Sequence, residues 1–261
     1  MGPLDGDRIR AAGVPAGVEV SVLPSVTSTN DLLRERFAHR KAVLAEEQRA
    51  GRGRRGRRWD SPPGAGLWLS FGYAFSVNAT RLAGLAPALG TAMAEQLPGG
   101  GVAVKWPNDL VCDGAKLGGI LIELVGGATS PCRAVIGLGL NLVLPGDCRQ
   151  GPDDRWPRTD LVGALGLSSA TSLDRNELAA GLLSALDAAC ALFDREGLLP
   201  FRARHARRDA LAGQMLSAET APGNRIRGRA DGLADNGGLR LIDASGQVHV
   251  LNAGDVHVER I

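Results

Sequence analysis

The sequence has few metal-binding or redox side chains, and none of them stands in a diagnostic spacing. Its four cysteines lie at Cys112, Cys132, Cys148 and Cys190 without a CxxC pair, and its four histidines are scattered. This pattern argues against a zinc site and against a dithiol redox centre. We therefore expect structural thiols and no protein-bound metal.

Long apolar runs are also missing. The N-terminal stretch lacks the apolar core of a signal peptide, and no later segment approaches the roughly 18 uninterrupted apolar residues of a membrane-spanning helix. With 44% hydrophobic residues in a chain of 261, there is nevertheless enough apolar material for a folded core. We expect a cytoplasmic protein that does not bind a membrane.

The chain has little net charge, only +2, although one short segment is strongly basic. Residues 46–60 read EEQRAGRGRRGRRWD, with six arginines between Arg49 and Arg58 and three glycines among them. Without these six charges the net charge would be −4, so the basic character is local. A nucleic-acid-binding protein usually spreads basic residues over a face or stripe, and that footprint is absent.

This arginine loop, residues 49–58, lies between two predicted strands that hold it at both ends. Glycines allow backbone N–H groups to turn toward an anion, and guanidinium groups donate paired hydrogen bonds to phosphate or carboxylate. Such a loop can close over a small polyanion. The residues alone leave two alternatives open, a solvated loop and a weakly RNA-binding loop.

Apolar periodicity divides the chain into three regions. Residues 1–17 show none, and we expect a loose leader. Residues 18–212 mix alternating strands with amphipathic helices, which predicts an α+β domain. Residues 213–261 contain short alternating runs broken by glycine, asparagine and aspartate, which favours a small SH3-like β-barrel.

Four further motifs carry polar residues. TSTN ends at Asn30 and opens a predicted helix, KWPND covers residues 105–109, AKLGGIL contains Lys116, and GLGLN covers residues 137–141. Each motif also has a structural interpretation. TSTN can simply cap a helix, the lysines of KWPND and AKLGGIL can point to solvent, and the glycines of GLGLN can allow close packing between strands. No single motif is therefore decisive.

Taken together, in this order and spacing, TSTN, EEQRAGRGRRGRRW, KWPND, AKLGGIL and GLGLN resemble the biotin protein ligases, from about Val18 to the C-terminus. The resemblance implies that residues 18–212 form a catalytic domain of the biotin/lipoate ligase type, with a mixed β-sheet and flanking helices. It also implies two chemical steps, in which biotin and ATP form biotinyl-5′-AMP and a lysine of a biotin carboxyl carrier domain then takes the biotinyl group. Mg²⁺ would accompany ATP. Nucleic acid is not expected to be a partner.

The resemblance also implies roles for individual residues. Lys116 and Arg54 would be catalytic. Biotin would be bound by Ser28, Thr29, Asn30, Gln48, Arg52, Gly53, Arg54 and Lys116. The nucleotide would be contacted by Arg57, Trp59, Asn108, Gly118 and Asn141. Trp106 would line the biotin or adenine pocket, or would belong to the core.

Two departures from the family matter. Residues 1–17 leave no room for the winged-helix repressor domain of larger members, so we expect a monofunctional ligase. Thr159–Leu161 reads TDL where TSL is common, after the insert GDCRQGPDDRWPRT, which puts adenine contacts there in doubt. The competing hypotheses are a lipoate–protein ligase of the same superfamily and a nucleic-acid-binding module. The arginine-rich string favours biotin over lipoate.

Overall fold

The structure is a computed structural model that describes residues 1–127, 131–144, 157–169, 172–221, 224–252 and 256–258. The helices are α1 (Gly6–Ala11), α2 (Thr29–Glu35), α3 (Leu85–Gln96), α4 (Leu161–Ala164), α5 (Arg175–Glu196) and α6 (Leu199–Ala206). The strands of the first sheet are β1 (Glu19–Val26), β2 (Lys41–Gln48), β3 (Gly66–Phe75), β4 (Ala103–Lys105), β5 (Asp109–Cys112), β6 (Ala115–Val125) and β7 (Cys132–Asn141). Those of the second sheet are β8 (Met215–Ala221), β9 (Asn224–Leu233), β10 (Leu239–Ile242), β11 (Val248–Leu251) and β12 (Val256–Val258).

The first sheet is mixed, as predicted. Its strand order is β1-β2-β3-β7-β6-β5-β4. Strands β1 and β2 are parallel, and the other neighbours are antiparallel. Strand β7 therefore lies between β3 and β6, which brings residues near 70, 120 and 137 side by side.

The two faces of this sheet carry different side chains, because neighbouring residues of a strand point to opposite faces. On one face Leu44, Leu69 and Ile136 belong to the main core, with residues of α3 and α5. On the other face β7 has Gly137 and Gly139. These glycines leave a shallow strip, and α2 lies on the same side of the sheet, where Leu33 packs with other apolar residues.

Helix α5 begins at a side-chain cap. The Asp174 side chain accepts hydrogen bonds from the N–H groups of Asn176 and Glu177. By length and composition alone α5 is apolar enough to cross a membrane, but half of its most apolar window is buried inside the protein. It contacts α1, α3, α6 and β3, so core packing explains its apolar side.

The prediction of a loose leader was wrong for the segment around α1. Asp5 caps this helix by accepting hydrogen bonds from the N–H groups of Asp7 and Arg8, and Ile9 is fully buried. The Leu4 N–H donates to Glu46 Oε1 at 2.6 Å, which ties the segment to β2. So short a helix buries too few apolar residues to produce a visible period in the sequence.

The C-terminal region forms a five-stranded antiparallel sheet in the order β11-β10-β9-β8-β12. This confirms a separate small β unit, whereas its closure into an SH3-like barrel stays a prediction. Its core contains Leu216, Leu239 and Leu241, and it also contains Trp106 from the turn between β4 and β5. The tryptophan of KWPND is therefore a core residue and does not line a substrate pocket.

The thiols behave as structural residues where the structure describes them. Cys112, Cys132 and Cys190 are buried and form no disulfide. Burial raises the pKa of each of these thiols, which keeps them protonated and unreactive. Cys148 lies outside the described residues.

His205, on α6, is buried with 1% exposure, and its Nε2 has no hydrogen-bond partner within the described part of the chain. Burial lowers the pKa of His205, although the charge of Asp209 partly opposes this. Near pH 6.5, the ordinary pKa of histidine, the unfolded chain therefore binds more protons at this side chain than the folded protein does. Stability should be present above this pH and should fall as the pH drops below it. Burial raises the pKa of Asp209. Its effect on stability is opposite to that of His205, because it lowers stability as the pH rises above 3.8, the ordinary pKa of this carboxyl group.

We expect His205→Gln to reduce the pH dependence of stability. The measurement is the melting temperature at pH 7.5 and at pH 5.5. Between these two values the melting temperature of the unmodified protein should fall more than that of the variant. His39→Gln changes an exposed histidine and controls for the substitution itself. Equal losses in the unmodified protein and His205→Gln would show that His205 does not carry the effect.

Candidate functional site

Helix α2 begins at the TSTN motif because Ser28 can cap it. Ser28 has extended backbone angles, and its Oγ accepts a hydrogen bond from the Asp31 N–H at 3.4 Å. This start places Thr29 and Asn30 in the first turn, where both are nearly fully buried. Capping thus fixes the direction of the next two polar side chains.

Thr29, Asn30, Gln48 and Ser70 form what we call the polar cluster. Thr29 donates from its backbone N–H and its hydroxyl to Gln48 Oε1, at 2.9 and 3.0 Å. The Ser70 hydroxyl lies 2.8 Å from Thr29 Oγ1 and 2.5 Å from Asn30 Oδ1. These bonds hold groups that donate and accept in fixed orientations at the bottom of the site.

The polar cluster reaches β7 and β6 through Asn30. A Cβ atom on Gly137 would lie 2.4 Å from Asn30 Oδ1, so only glycine leaves room for this side chain. Asn30 Nδ2 donates to Glu123 Oε2 at 2.8 Å. Sequence reasoning missed Ser70 and Glu123, although a hydroxyl within the apolar run GLWLSFGYAF and a carboxylate at the end of KLGGILIE were available signals.

The arginine loop connects β2 and β3, so it is held by a strand at each end, as predicted. Arg52 and Arg58 form an isolated antiparallel bridge. The Gly53 N–H donates to Arg57 O at 2.7 Å, so this amide is used inside the loop and does not point toward an anion. Gly51 is required for a different reason, since a Cβ there would lie 2.4 Å from Trp59 O.

The loop arginines differ in their surroundings. Arg52 bonds Asp31 and both carboxylate oxygens of Glu123, at 3.0 and 2.9 Å for the latter. Arg58 is 78% exposed and pairs with Asp60 at 3.3 Å. Arg57 is exposed. Arg52 is thus a fixed wall beside the polar cluster, whereas Arg58 belongs to the solvent-facing side of the loop.

Arg54, Asn108, Asp109 and Lys116 form a second group, the charged cluster. Arg54 donates to Asn108 Oδ1 at 3.0 Å, and Asn108 Nδ2 donates to Ile120 O at 2.7 Å. Lys116 Nζ lies 2.8 Å from Asp109 Oδ1, and both side chains are about one quarter exposed. The structure therefore brings the two predicted catalytic residues, Arg54 and Lys116, to the same segment.

Trp59 lies on the glycine strip between the two clusters. A Cβ on Gly139 would lie 2.6 Å from the Trp59 ring, and one on Gly119 would lie 3.7 Å from it. The Lys116 ammonium is 5.3 Å from the ring centroid, within cation–π range. The buried indole Nε1 has no hydrogen-bond partner among the residues that the structure describes.

The two clusters are neighbours on one face of the sheet. Gly137, under Asn30, and Gly139, under Trp59, are two residues apart on β7 and point the same way, about 7 Å from each other. Gly119 pairs with Gly139, and its Cβ position lies 3.3 Å from Asp109 Oδ1. A ligand with a hydrogen-bonding group at one end and an anionic group at the other matches this arrangement.

Two predicted nucleotide residues have structural explanations. A Cβ on Gly118 would lie 2.7 Å from Gly139 O and near Leu140, so Gly119 and not Gly118 faces the site. Asn141 is 4% exposed and donates to Thr159 O at 3.2 Å. Thr159 in turn donates its N–H to Lys116 O at 2.9 Å, so Asn141 supports the segment beside Lys116.

Most of the insert GDCRQGPDDRWPRT falls within residues 145–156, which lie outside the described residues, and adenine contacts there remain a prediction. Within the described ranges, no group of three or more histidine, cysteine, aspartate or glutamate residues is placed to hold a metal ion. Asp109, the carboxylate of the charged cluster, is paired with Lys116.

Comparison with known proteins shows that this chain is similar to ligases. Residues 22–141 match the model of the biotin/lipoate A/B protein ligase family. The bifunctional ligase/repressor BirA of Escherichia coli is 36% identical over 246 residues, which cover 92% of this chain and 74% of that protein. The biotin–[acetyl-CoA-carboxylase] ligase of Mycobacterium tuberculosis is 31% identical over 269 residues, covering 97% and 95%.

Solved structures extend the likeness to ligand-bound proteins. The biotin protein ligase from Aquifex aeolicus in complex with biotin and ATP has a TM-score of 0.75 and 25% identity, covering 93% of this chain and 99% of that one. The ligase from Leishmania major in complex with biotinyl-5-AMP has a TM-score of 0.55 and 27% identity, covering 92% and 100%.

Proposed function

The chain belongs to the biotin protein ligases of the biotin/lipoate A/B protein ligase family, and we propose that it uses ATP to attach biotin to a lysine of a carrier domain. The observation that carries this proposal is the pairing of the polar cluster with the charged cluster along one glycine strip. Biotin has a ureido group at one end and a carboxylate at the other. The two ends require these two kinds of surroundings.

The ureido group binds at the polar cluster. It has one carbonyl oxygen and two N–H groups, so it needs donors and acceptors held close together. Thr29 and Gln48, with Ser28 at the helix cap, supply both kinds of group in an arrangement that the protein has already ordered. Asn30, fixed by Glu123 and Ser70, completes the wall.

The first reaction takes place at the charged cluster. An oxygen of the biotin carboxylate attacks the α-phosphorus of ATP, the bond to the β-phosphate oxygen breaks, and pyrophosphate leaves with the electron pair. Lys116 and Arg54 hold positive charge where the carboxylate and the phosphate meet. Asp109 and Asn108 orient these two cations before the substrates arrive, and this preorganisation lowers the barrier.

The second reaction transfers the biotinyl group. The neutral amine of the carrier lysine attacks the acyl carbon of biotinyl-5′-AMP, a C–N bond forms, and AMP leaves with the electron pair while the amine loses a proton. Trp59 and the arginine loop cover the intermediate and exclude water, which would otherwise hydrolyse the mixed anhydride.

The remaining parts of the proposal concern ATP, the partner and the location. ATP would enter as its magnesium complex, in which Mg²⁺ would supply positive charge beside the phosphates. The carrier is the biotin carboxyl carrier domain of a biotin-dependent carboxylase. We infer a cytoplasmic location, which cell fractionation tests.

The test mixes the purified protein with MgATP and either biotin or lipoate, and follows pyrophosphate release and the mass of an added carrier domain. We expect biotin-dependent pyrophosphate and a carrier whose mass rises by one biotinyl group. Activity with lipoate alone would replace biotin by lipoate as the substrate. Inactivity with both acids would overturn the ligase proposal.

We expect Gly137→Ala to raise the Michaelis constant for biotin. The added methyl group would lie 2.4 Å from Asn30 Oδ1, so Asn30 must leave its place in the polar cluster. Loss of one well-placed hydrogen bond corresponds to about a tenfold weaker interaction. In the control Gly101→Ala, the new methyl group meets Cys112 Sγ at an ordinary 3.7 Å. Equal Michaelis constants for the two variants would show that Asn30 does not hold biotin.

A further inference from the structure

Trp106 belongs to the KWPND motif between β4 and β5, yet its side chain lies in the core of the C-terminal sheet. It is 3% exposed and packs in one cluster with Leu216, Leu241 and Leu251. Its Nε1 donates to Gly237 O at 2.9 Å. One side chain of the catalytic region therefore anchors in the other structural unit.

The turn that receives Trp106 is itself fixed. Gly237 lies between β9 and β10 with a φ of 80°, a value that favours glycine. A Cβ there would lie 2.2 Å from Gly84 Cα, just before α3. The turn is thus held between two parts of the catalytic domain, Trp106 and Gly84, and has little freedom to move.

The residues that follow Trp106 hold the two catalytic cations. After Pro107, Asn108 accepts the hydrogen bond from Arg54, and Asp109 contacts Lys116 at 2.8 Å. The backbone on the other side is also held, because the Val104 N–H donates to Arg208 O at 2.7 Å. A shift of the indole would therefore move Asn108 and Asp109.

We propose that Trp106 is a positioning residue through which the C-terminal unit sets the place of Arg54 and Lys116. The C-terminal sheet thereby supports adenylate formation without touching the substrates. This inference rests on the proposed ligase function. It gives the C-terminal unit a role in catalysis that is separate from its own stability.

The test compares Trp106→Phe with Leu241→Val in the full chain. Both change the same buried cluster, but only the first removes the hydrogen bond to Gly237 O. We expect Trp106→Phe to lower kcat for biotin-dependent pyrophosphate release by about ten- to a hundredfold, since small misplacements of catalytic groups have effects of this size. The Michaelis constant for biotin should change less than about twofold, because the polar cluster lies on other elements. Leu241→Val should keep kcat even when its melting temperature falls equally.

A double-mutant cycle tests the route of the effect. If Trp106 acts through Asp109, then Trp106→Phe should lower kcat much less in the Asp109→Asn background than in the unmodified protein. Independent effects in the cycle, an unchanged kcat for Trp106→Phe, or a kcat that falls equally in Leu241→Val would each overturn the inference. If the unmodified protein releases no biotin-dependent pyrophosphate, the proposed function itself fails. If it is active and the variants behave in one of the ways just named, only the inference about Trp106 fails.

Discussion

Replacing Lys116 by alanine should slow biotin-dependent pyrophosphate release by about a thousandfold. The Lys116 ammonium contacts Asp109 and lies over the Trp59 ring, at the end of the strip where the carboxylate meets ATP. Its point charge can follow the negative charge that shifts from the carboxylate to the phosphate in the transition state. Alanine supplies no charge there, so the transition state loses more stabilisation than the bound substrates do.

The measurement separates the two reactions. Pyrophosphate release reports adenylate formation, and transfer from added biotinyl-5′-AMP to the carrier reports the second step. We expect Lys116→Ala to impair the first rate more than the second. Lys116→Gln keeps a hydrogen-bond donor for Asp109, and it should be nearly as slow if charge is what matters.

Lys41→Ala is the matched control, since Lys41 lies on β2 and pairs with Glu19 at 3.5 Å, outside both clusters. The melting temperatures of all three variants show whether the fold persists. Pyrophosphate release at the unmodified rate in Lys116→Ala would remove Lys116 from the mechanism.

Arg54→Ala should lower the same rate by about a hundredfold. The Arg54 guanidinium reaches Asn108 at 3.0 Å and so stands beside the charged cluster. It offers two parallel donors to a carboxylate or a phosphate, which no smaller side chain can replace. Because Arg54 is a surface loop residue and only partly buried, its loss should leave the melting temperature nearly unchanged.

Arg58→Ala is the control for Arg54 because it removes the same charge from the same loop. Arg58 is 78% exposed and contacts Asp60, so its loss should change the rate by less than about threefold. The nucleic-acid hypothesis makes a different prediction. In that case the two substitutions would weaken salt-sensitive polyanion binding about equally and would not affect any chemical step.

Several features were predictable because they depend on residues that are close in the chain. Ser28 caps the helix that the TSTN motif was predicted to open, and the arginine loop leaves and re-enters the sheet where the strand patterns stop. The resemblance of the ordered motifs identified the family and singled out Arg54 and Lys116. The structure then placed both of them in one cluster.

Other features depend on contacts between residues far apart in the chain. Asn30 meets Glu123 across 93 positions, and this contact exists only because β7 inserts between β3 and β6. The choice of Gly119 over Gly118 for the site face depends on strand register, because a shift of one residue reverses every side chain.

The sequence by itself thus determined the family, the local elements and the charged side chains of the reaction, because local patterns and ordered motifs carry that information. Only the tertiary structure decided which partners orient those side chains, that residues 4–11 pack on the core, and that Trp106 anchors in the C-terminal sheet. A buried tryptophan has the same sequence signature whichever core it enters. The packing of two structural units against each other decides that question, and no local pattern records it.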